Sequence, residues 1–389
     1  MPLGRHAITT TPENSETPWD SVRSWVTPSR LFFVRNHFDV PTIDANAWQL
    51  TIEGCVDRPL TLSWNELCDL PQASLAASIE CAGNGRSFLQ PAVEGVQWGA
   101  GAIGHAEWTG VPLYAVLEKA GIDASAQEVV FEGADRGAEH DHPETMAFAR
   151  SLPLRKALDR NTLLAMYMNG EPLDANHGYP VRLLVPGWYG VASVKWLSRI
   201  EVIDHAFKGY FQTKKYTVRR PGGDGEETSV VGAMVVKSAF VRPQPSQTLT
   251  VGRQRLFGVA WAGEEQVARV DVSTDNGLTW NAARLLDPAA PYSWTFWEYA
   301  WNVEKPGQYS LRVRATTADG TSQPEEHDAL RGGYMINFIR PTAVEVVVLE
   351  PTEAAPRAET LLYDMNSFAE TNARLPLDVH LEFSEGGGI

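Results

Sequence analysis

Apolar and polar positions divide the chain into three textures. Residues 1 to about 28 run polar, rich in Thr, Pro and Glu, and predict an extended N-terminal arm over residues 1–28. From about Leu31 the apolar positions become dense. Ala47-Trp48-Gln49-Leu50-Thr51-Ile52-Glu53 alternates and predicts a strand. Ser63 ahead of Trp64-Asn65-Glu66-Leu67 predicts a short helix with a Ser cap. Pro112-Leu113-Tyr114-Ala115-Val116-Leu117-Glu118-Lys119-Ala120 has helical spacing ended by Gly121. Val181-Arg182-Leu183-Leu184-Val185 and Ile200-Glu201-Val202-Ile203 read as further strands. Helices and strands alternate irregularly here, so residues 29–225 predict a mixed α/β domain of α+β class, not a doubly wound sheet.

Near Val230 the pattern changes to short strands and turns. Ala268, Val270 and Val272 alternate up to Asp275-Asn276-Gly277, and Asn-Gly is a strong hairpin signal. Tyr309, Leu311, Val313 and Ala315 alternate in the same way and stop at Asp319-Gly320. Residues 226–349 therefore predict an immunoglobulin-like all-β sandwich. Arg219-Arg220-Pro221-Gly222-Gly223-Asp224-Gly225 has the composition of a linker between the two domains. Residues 350–389, Pro- and Glu-rich at first and ending in Gly-Gly-Gly-Ile, predict a C-terminal extension that packs on a neighbour.

Charge narrows the classes of partner. With 33 basic and 48 acidic residues the net charge is −15, which argues against nucleic acid or an anionic membrane as the main partner. No apolar run approaches the roughly 18 to 20 residues a membrane span needs. The N-terminus lacks the apolar core of a secretory signal, so a cytoplasmic location is expected. The alternative is a periplasmic protein whose leader lies outside these 389 residues. Three cysteines, Cys55, Cys68 and Cys81, are too few for a disulfide framework, and no haem-attachment or zinc spacing accompanies them.

The segment richest in chemistry is Ser78-Ile79-Glu80-Cys81-Ala82-Gly83-Asn84-Gly85-Arg86-Ser87. An apolar run ends at a cysteine, and two glycines within four residues let the backbone approach a bound group closely. Arg86 would favour the thiolate, the form that binds metals and attacks electrophiles. On its own the pattern fits a metal ligand, a nucleophile or a buried structural cysteine.

Glu80-Cys81-Ala82-Gly83-Asn84-Gly85-Arg86 resembles the cysteine loop of the sulfite oxidase and assimilatory nitrate reductase family. Phe33-Val34-Arg35-Asn36-His37, Trp98-Gly99-Ala100-Gly101, His177-Gly178-Tyr179-Pro180-Val181-Arg182 and Val194-Lys195-Trp196-Leu197 are similar to other family segments, in the same order. Val270-Asp271-Val272-Ser273 to Trp280 resembles the family's immunoglobulin-like dimerisation domain. The resemblance implies a molybdopterin-binding domain with Cys81 as the protein ligand to molybdenum. It implies that His37, His177, Arg182 and Lys195 grip the pterin and its phosphate, and that Asp135 hydrogen-bonds the pterin. Arg35, Arg86 and Arg331 would converge on a substrate oxyanion, Trp98 would wall that pocket, and Tyr216 would lie beside the metal. For Arg331 to take part, the β domain must fold back over the site.

The expected activity is oxidation of sulfite to sulfate by oxygen-atom transfer, with a homodimer formed through the β domain. Gly85 departs from the arginine usual in animal enzymes and nitrate reductases, which removes one positive charge and touches substrate choice. No His-Pro-Gly-Gly segment, flavin module or dinucleotide fingerprint occurs, so neither haem nor flavin is expected. Electrons would pass to an external acceptor, cytochrome c or dioxygen. Two other readings are nitrate or a thiosulfate-pathway sulfur intermediate on the same cofactor, and a catalytically silent β-sandwich interaction protein.

Overall fold

The computed structural model describes residues 4–222, 225–286, 290–340 and 343–350. The expected C-terminal extension, apart from Glu350, lies outside these residues.

Two five-stranded sheets build the first domain. One runs in the order Leu60–Ser63, Gln49–Gly54, Leu197–Ile203, Glu128–Glu139, His142–Pro153. Its pairing of Gln49–Gly54 with Leu197–Ile203 is parallel; the rest is antiparallel. The other runs Glu171–Pro172, Leu163–Met168, Ile103–Pro112, Ala73–Glu80, with Arg182–Leu184 also paired to Leu163–Met168. Leu50, Ile52, Phe131, Leu164, Leu183 and Ile200 are completely buried in a shared core. Each such side chain contributes roughly 1.5–3 kcal/mol by leaving water.

Helices are short and sit at sheet edges. In Trp64–Cys68 the Ser63 hydroxyl accepts from the Glu66 N–H and the Glu66 carboxylate accepts from the Ser63 N–H, a reciprocal cap. Leu113–Ala120 buries Leu113, Val116, Leu117 and Ala120, one face at helical spacing. It stops at Gly121, whose φ of +73° favours glycine.

The second domain is the expected sandwich. One sheet runs Lys237–Arg242, Gly252–Trp261, Thr295–Val303, Arg284–Leu285. The facing sheet runs Thr248–Thr250, Val344–Leu349, Gly307–Thr317, Val267–Ser273, Asn281–Ala282. Val270, Val272, Leu311 and Val313 of one sheet bury against Leu256, Ala260 and Trp297 of the other.

One expectation from composition does not hold. Residues 4–28 are no free arm. His6–Thr10 and Glu13–Glu16 form a hairpin, and Glu13–Glu16 pairs with Val34–Arg35. Beyond it Val22 and Trp25 are buried in a cluster with Val259, Trp261, Trp294 and Phe296 of the sandwich. Polarity misleads here because the polar groups find protein partners: Thr17 donates its N–H to Gly101 O (2.9 Å) and its hydroxyl to Ile103 O (2.9 Å). The stretch expected to link the two domains is largely paired. Thr217–Gly222 and Gly225–Val230 pair antiparallel as a two-stranded ribbon.

A buried polar knot joins the domains. Glu80 Oε1 accepts from Lys237 Nζ (2.9 Å) and Asn84 Nδ2 (3.0 Å), and Glu80 Oε2 accepts from Trp261 Nε1 (2.8 Å). Lys237 Nζ also donates to Asn84 O (3.0 Å). Lys237 and Trp261 belong to the sandwich, whereas Glu80 and Asn84 flank Cys81. No helix among the described residues is long and apolar enough to cross a membrane.

Candidate cofactor and anion site

The strand Ala73–Glu80 ends one residue before Cys81, which delivers the thiol to the sheet's end. Around it lies a cleft lined by Arg35, His37, Cys81, Asp135, His177, Arg182, Lys195 and Tyr216, with Asn36, Asn176 and Ser193 among them. Eight of the eleven side chains singled out in the sequence thus meet in one cavity.

Each cationic group is held from behind. Arg35 donates through Nη1 to Asn14 Oδ1 (3.2 Å) and to the Asn36 carbonyl. Asn14 also takes the Asn36 N–H (3.0 Å), so the N-terminal hairpin fixes this corner. Arg182 donates to His177 O (3.1 Å) and Ser193 O (3.2 Å). Lys195 Nζ donates to Asn176 O (2.8 Å) and to the Asn36 side-chain oxygen. His177 Nδ1 faces the Asp174 carboxylate at 2.9 Å, which turns Nε2 away from Asp174.

Burial sets the electrostatics. Loss of hydration lowers the Lys195 pKa well below its usual value, with Arg182 adding to the effect. It brings Arg182 down to about 10 and pushes Asp135 up to about 6. His37 is driven well below the normal imidazole range, first by burial and then by Arg35, Lys195 and Arg150. The Cys81 thiol is raised by burial, and Arg35 and Arg86 oppose that rise. His37 Nε2 lies 2.7 Å from Tyr216 Oη, with the imidazole between Phe148 and Phe211.

The cavity asks for a ligand. Asn36 Nδ2, Asp135 Oδ1, His177 Nε2 and Arg182 Nε are buried without a hydrogen-bond partner, and all four residues line it. Leaving a buried polar group unmatched costs about 1–3 kcal/mol, so four in one cleft fit a group rich in donors and acceptors with an anionic end. Among the described residues no three His, Cys, Asp or Glu side chains gather to cage a metal. A metal at Cys81 would therefore draw its other ligands from a cofactor, as a dithiolene pterin provides.

Arg86, Trp98 and Arg331 do not line this cleft. Arg86 is buried beside it, donating to Gly333 O (3.0 Å) and Val96 O (2.9 Å), with its guanidinium 5.3 Å from the Tyr334 ring. A Cβ at Gly83 would come within 2.4 Å of that guanidinium, so the glycine makes room for Arg86. Trp98 is fully buried in the cluster that contains Cys81, and its Nε1–H has no partner. Arg331 is engaged by Asp328 (3.6 Å), Met335 O (3.2 Å) and Asn337 Oδ1 (3.0 Å). Its loop nonetheless reaches the site, because Gly333 and Tyr334 touch Arg86 and Tyr334 packs 5.0 Å from Tyr216.

Sequence reasoning passed over Asn14, Asn36, Asp174 and Tyr334. Asp174 was within reach, because an Asp three residues ahead of His177 has cap spacing, and it does cap that turn. Asn36 lies between Arg35 and His37 in the family-like segment, and its residue type alone marks no role.

Residues 37–211 match a family described as oxidoreductase molybdopterin binding domain, and residues 228–340 one described as Mo-co oxidoreductase dimerisation domain. The mitochondrial sulfite oxidase of Drosophila melanogaster is 34% identical over 374 residues, covering 88% of this chain and 64% of its own length. The sulfite oxidase of Arabidopsis thaliana is 31% identical over 349 residues, covering 82% of this chain and 88% of its own. The sulfane dehydrogenase SoxCD from Paracoccus pantotrophus superposes with a TM-score of 0.76 at 29% identity, covering 87% of both chains. Against the fly, macaque and human proteins the chain spans only 59–64% of their length.

Proposed function

The chain belongs to the sulfite oxidase family of molybdopterin-binding oxidoreductases, and from that premise we propose that it oxidises sulfite to sulfate and passes the electrons to an external acceptor, cytochrome c or dioxygen. The observation that carries this reading is the convergence of Cys81, three cations and four unmatched buried polar groups on one cleft. When bound, the molybdenum cofactor supplies two-electron oxygen-atom transfer.

Cys81 holds the metal through its sulfur, and the Arg35 and Arg86 charges favour its thiolate. Asn36, Asp135, His177, Arg182 and Lys195 bind the pterin and its phosphate; an anion bound there offsets the loss of hydration that lowers the pKa of Arg182 and Lys195. Arg35 and Arg86 attract the oxyanion. Arg331 secures the loop that backs Arg86, and Trp98 closes the wall behind Cys81. Tyr216 orients substrate with its hydroxyl, fixed by a neutral His37. The matched dimerisation domain supports a homodimer. The proposed step calls on no haem or flavin within these 389 residues, and its proposed setting is the cytoplasm, with the periplasm as the alternative.

Metal analysis and sulfite turnover with ferricyanide test this, with Cys81→Ser as control. About one molybdenum per chain and turnover abolished in the control is the expected result. Molybdenum without sulfite turnover would move the substrate to another oxyanion or sulfur compound. Protein from a cofactor-competent host that lacks molybdenum would overturn the reading.

A further inference from the structure

Arg150 is a buried cation that stands outside the lining of the cleft. It stands in the strand His142–Pro153 and is 1% exposed. Its Nη2 donates to Val231 O (2.9 Å), its Nη1 to the Phe211 carbonyl, and its Nε has no partner. Among the described residues no carboxylate pairs with it. Burial lowers its pKa only to about 10, so the charge stays on at neutral pH. An unpaired guanidinium in the interior is costly and calls for a reason.

Its neighbours supply one. The guanidinium lies 6.0 Å from the centre of the Tyr216 ring, and its charge bears on His37, the partner of the Tyr216 hydroxyl. The two carbonyls it grips flank Tyr216 in the chain. Phe211 is five residues before it, and Val231 returns its own N–H to Tyr216 O (2.8 Å). Tyr216 itself has φ of +54°, a left-handed conformation that a bulky side chain holds only when its surroundings enforce it. Arg150 thus clamps both ends of a strained turn and puts a fixed positive charge behind the Tyr216–His37 pair.

We propose that Arg150 is a positioning residue for Tyr216 whose charge also draws the substrate oxyanion into the cleft, as a remote member of the anion site. This rests on the oxyanion reading of the cleft. A structural clamp alone needs only hydrogen bonds; a member of the anion site needs the charge.

The test compares Arg150→Met, Arg150→Gln and Arg150→Lys in the full-length, molybdenum-loaded protein. Two quantities are read: inorganic sulfate binding by titration calorimetry, and KM and kcat for sulfite across ionic strength. A unit charge on the far side of the Tyr216 ring, whose centre lies 6.0 Å from the guanidinium, predicts about tenfold weaker sulfate binding and about tenfold higher KM for Met and Gln. Lys should stay within about threefold of wild type, and the salt dependence of KM should flatten where the charge is gone. Sulfate affinity and KM unchanged in Met or Gln, with only stability or kcat lowered, would overturn the proposal and leave Arg150 a clamp. Should Met fail to fold, Gln against Lys decides, since Gln can still donate to one carbonyl without charge. Wild-type protein that binds neither sulfate nor sulfite would bring down the oxyanion reading itself, which is distinguishable because no substitution is involved.

Discussion

Replacing Lys237 with Met isolates what the second domain does for the cysteine loop. Lys237 is 5% exposed and Glu80 1%, so the substitution leaves a carboxylate in the interior with two donors, Asn84 Nδ2 and Trp261 Nε1. Removing one partner of a buried pair costs about 3–5 kcal/mol. The two surviving hydrogen bonds to a charged acceptor set the expectation at the lower end, about 3 kcal/mol. Urea unfolding of Lys237→Met, Glu80→Leu and the double variant measures it. The double variant removes both charges, so its loss should fall short of the sum of the single losses by about 2 kcal/mol or more. Because Glu80 and Asn84 straddle Cys81, the loop should loosen as well. In a Cys55→Ser/Cys68→Ser background, cofactor-free Lys237→Met protein should react with a thiol reagent faster than its parent. A Lys237→Met protein within about 1 kcal/mol of wild type, with unchanged Cys81 reactivity, would refute the claim that this contact holds the loop.

Trp25→Ala should cost about 3–5 kcal/mol in urea unfolding, because Trp25 is 1% exposed and exchanges hydrogen bonds with Trp294 of the sandwich (3.3 and 2.8 Å); a loss under about 1 kcal/mol would return residues 1–28 to the status of an arm. His105 is completely buried between Trp25 and Trp294, and burial drops its pKa from 6.5 to about 3. The folded protein therefore keeps it neutral while the unfolded chain takes up a proton below about pH 6.5, so stability falls as the pH drops from there toward 3, by about 2 kcal/mol at pH 5. His105→Asn should lose about that much less than wild type between pH 7.5 and 5, and parallel losses in the two proteins would refute the assignment.

Local signals read true where the physics is local. The Ser63 cap and the helix ending at Gly121 both rest on residues within a few positions of one another. So does the turn at Asn276 and Gly277, where φ of +63° and +88° suits those two residues. The ordered motifs also named most of the cleft. What stayed hidden depends on partners far along the chain. Asn14 reads as solvated until Arg35 and Asn36 come to it from 21 and 22 residues away. Arg150 carries no mark that distinguishes it from a surface arginine, because its acceptors lie 61 and 81 residues on. The ribbon at 217–230 is largely exposed, so its strands lack the alternation a half-buried strand shows. Arg331 stands on the expected loop, but Asp328 and Asn337 hold its guanidinium outside the cleft wall.

The bond from Arg86 to Gly333 spans 247 residues, those from Glu80 to Lys237 and Trp261 span 157 and 181, and the Trp25–Trp294 exchange spans 269. Contacts of such separation form late, since closing long loops costs entropy before any contact repays it. Catalytic competence is then the final event of folding, reached only when the cysteine loop and the sandwich have met. A ligand that recognises only that finished arrangement stabilises it by mass action. Refolding monitored by tryptophan fluorescence should accordingly run ahead of the recovery of cofactor binding, and the gap between the two clocks measures how long the cleft waits for its farthest parts.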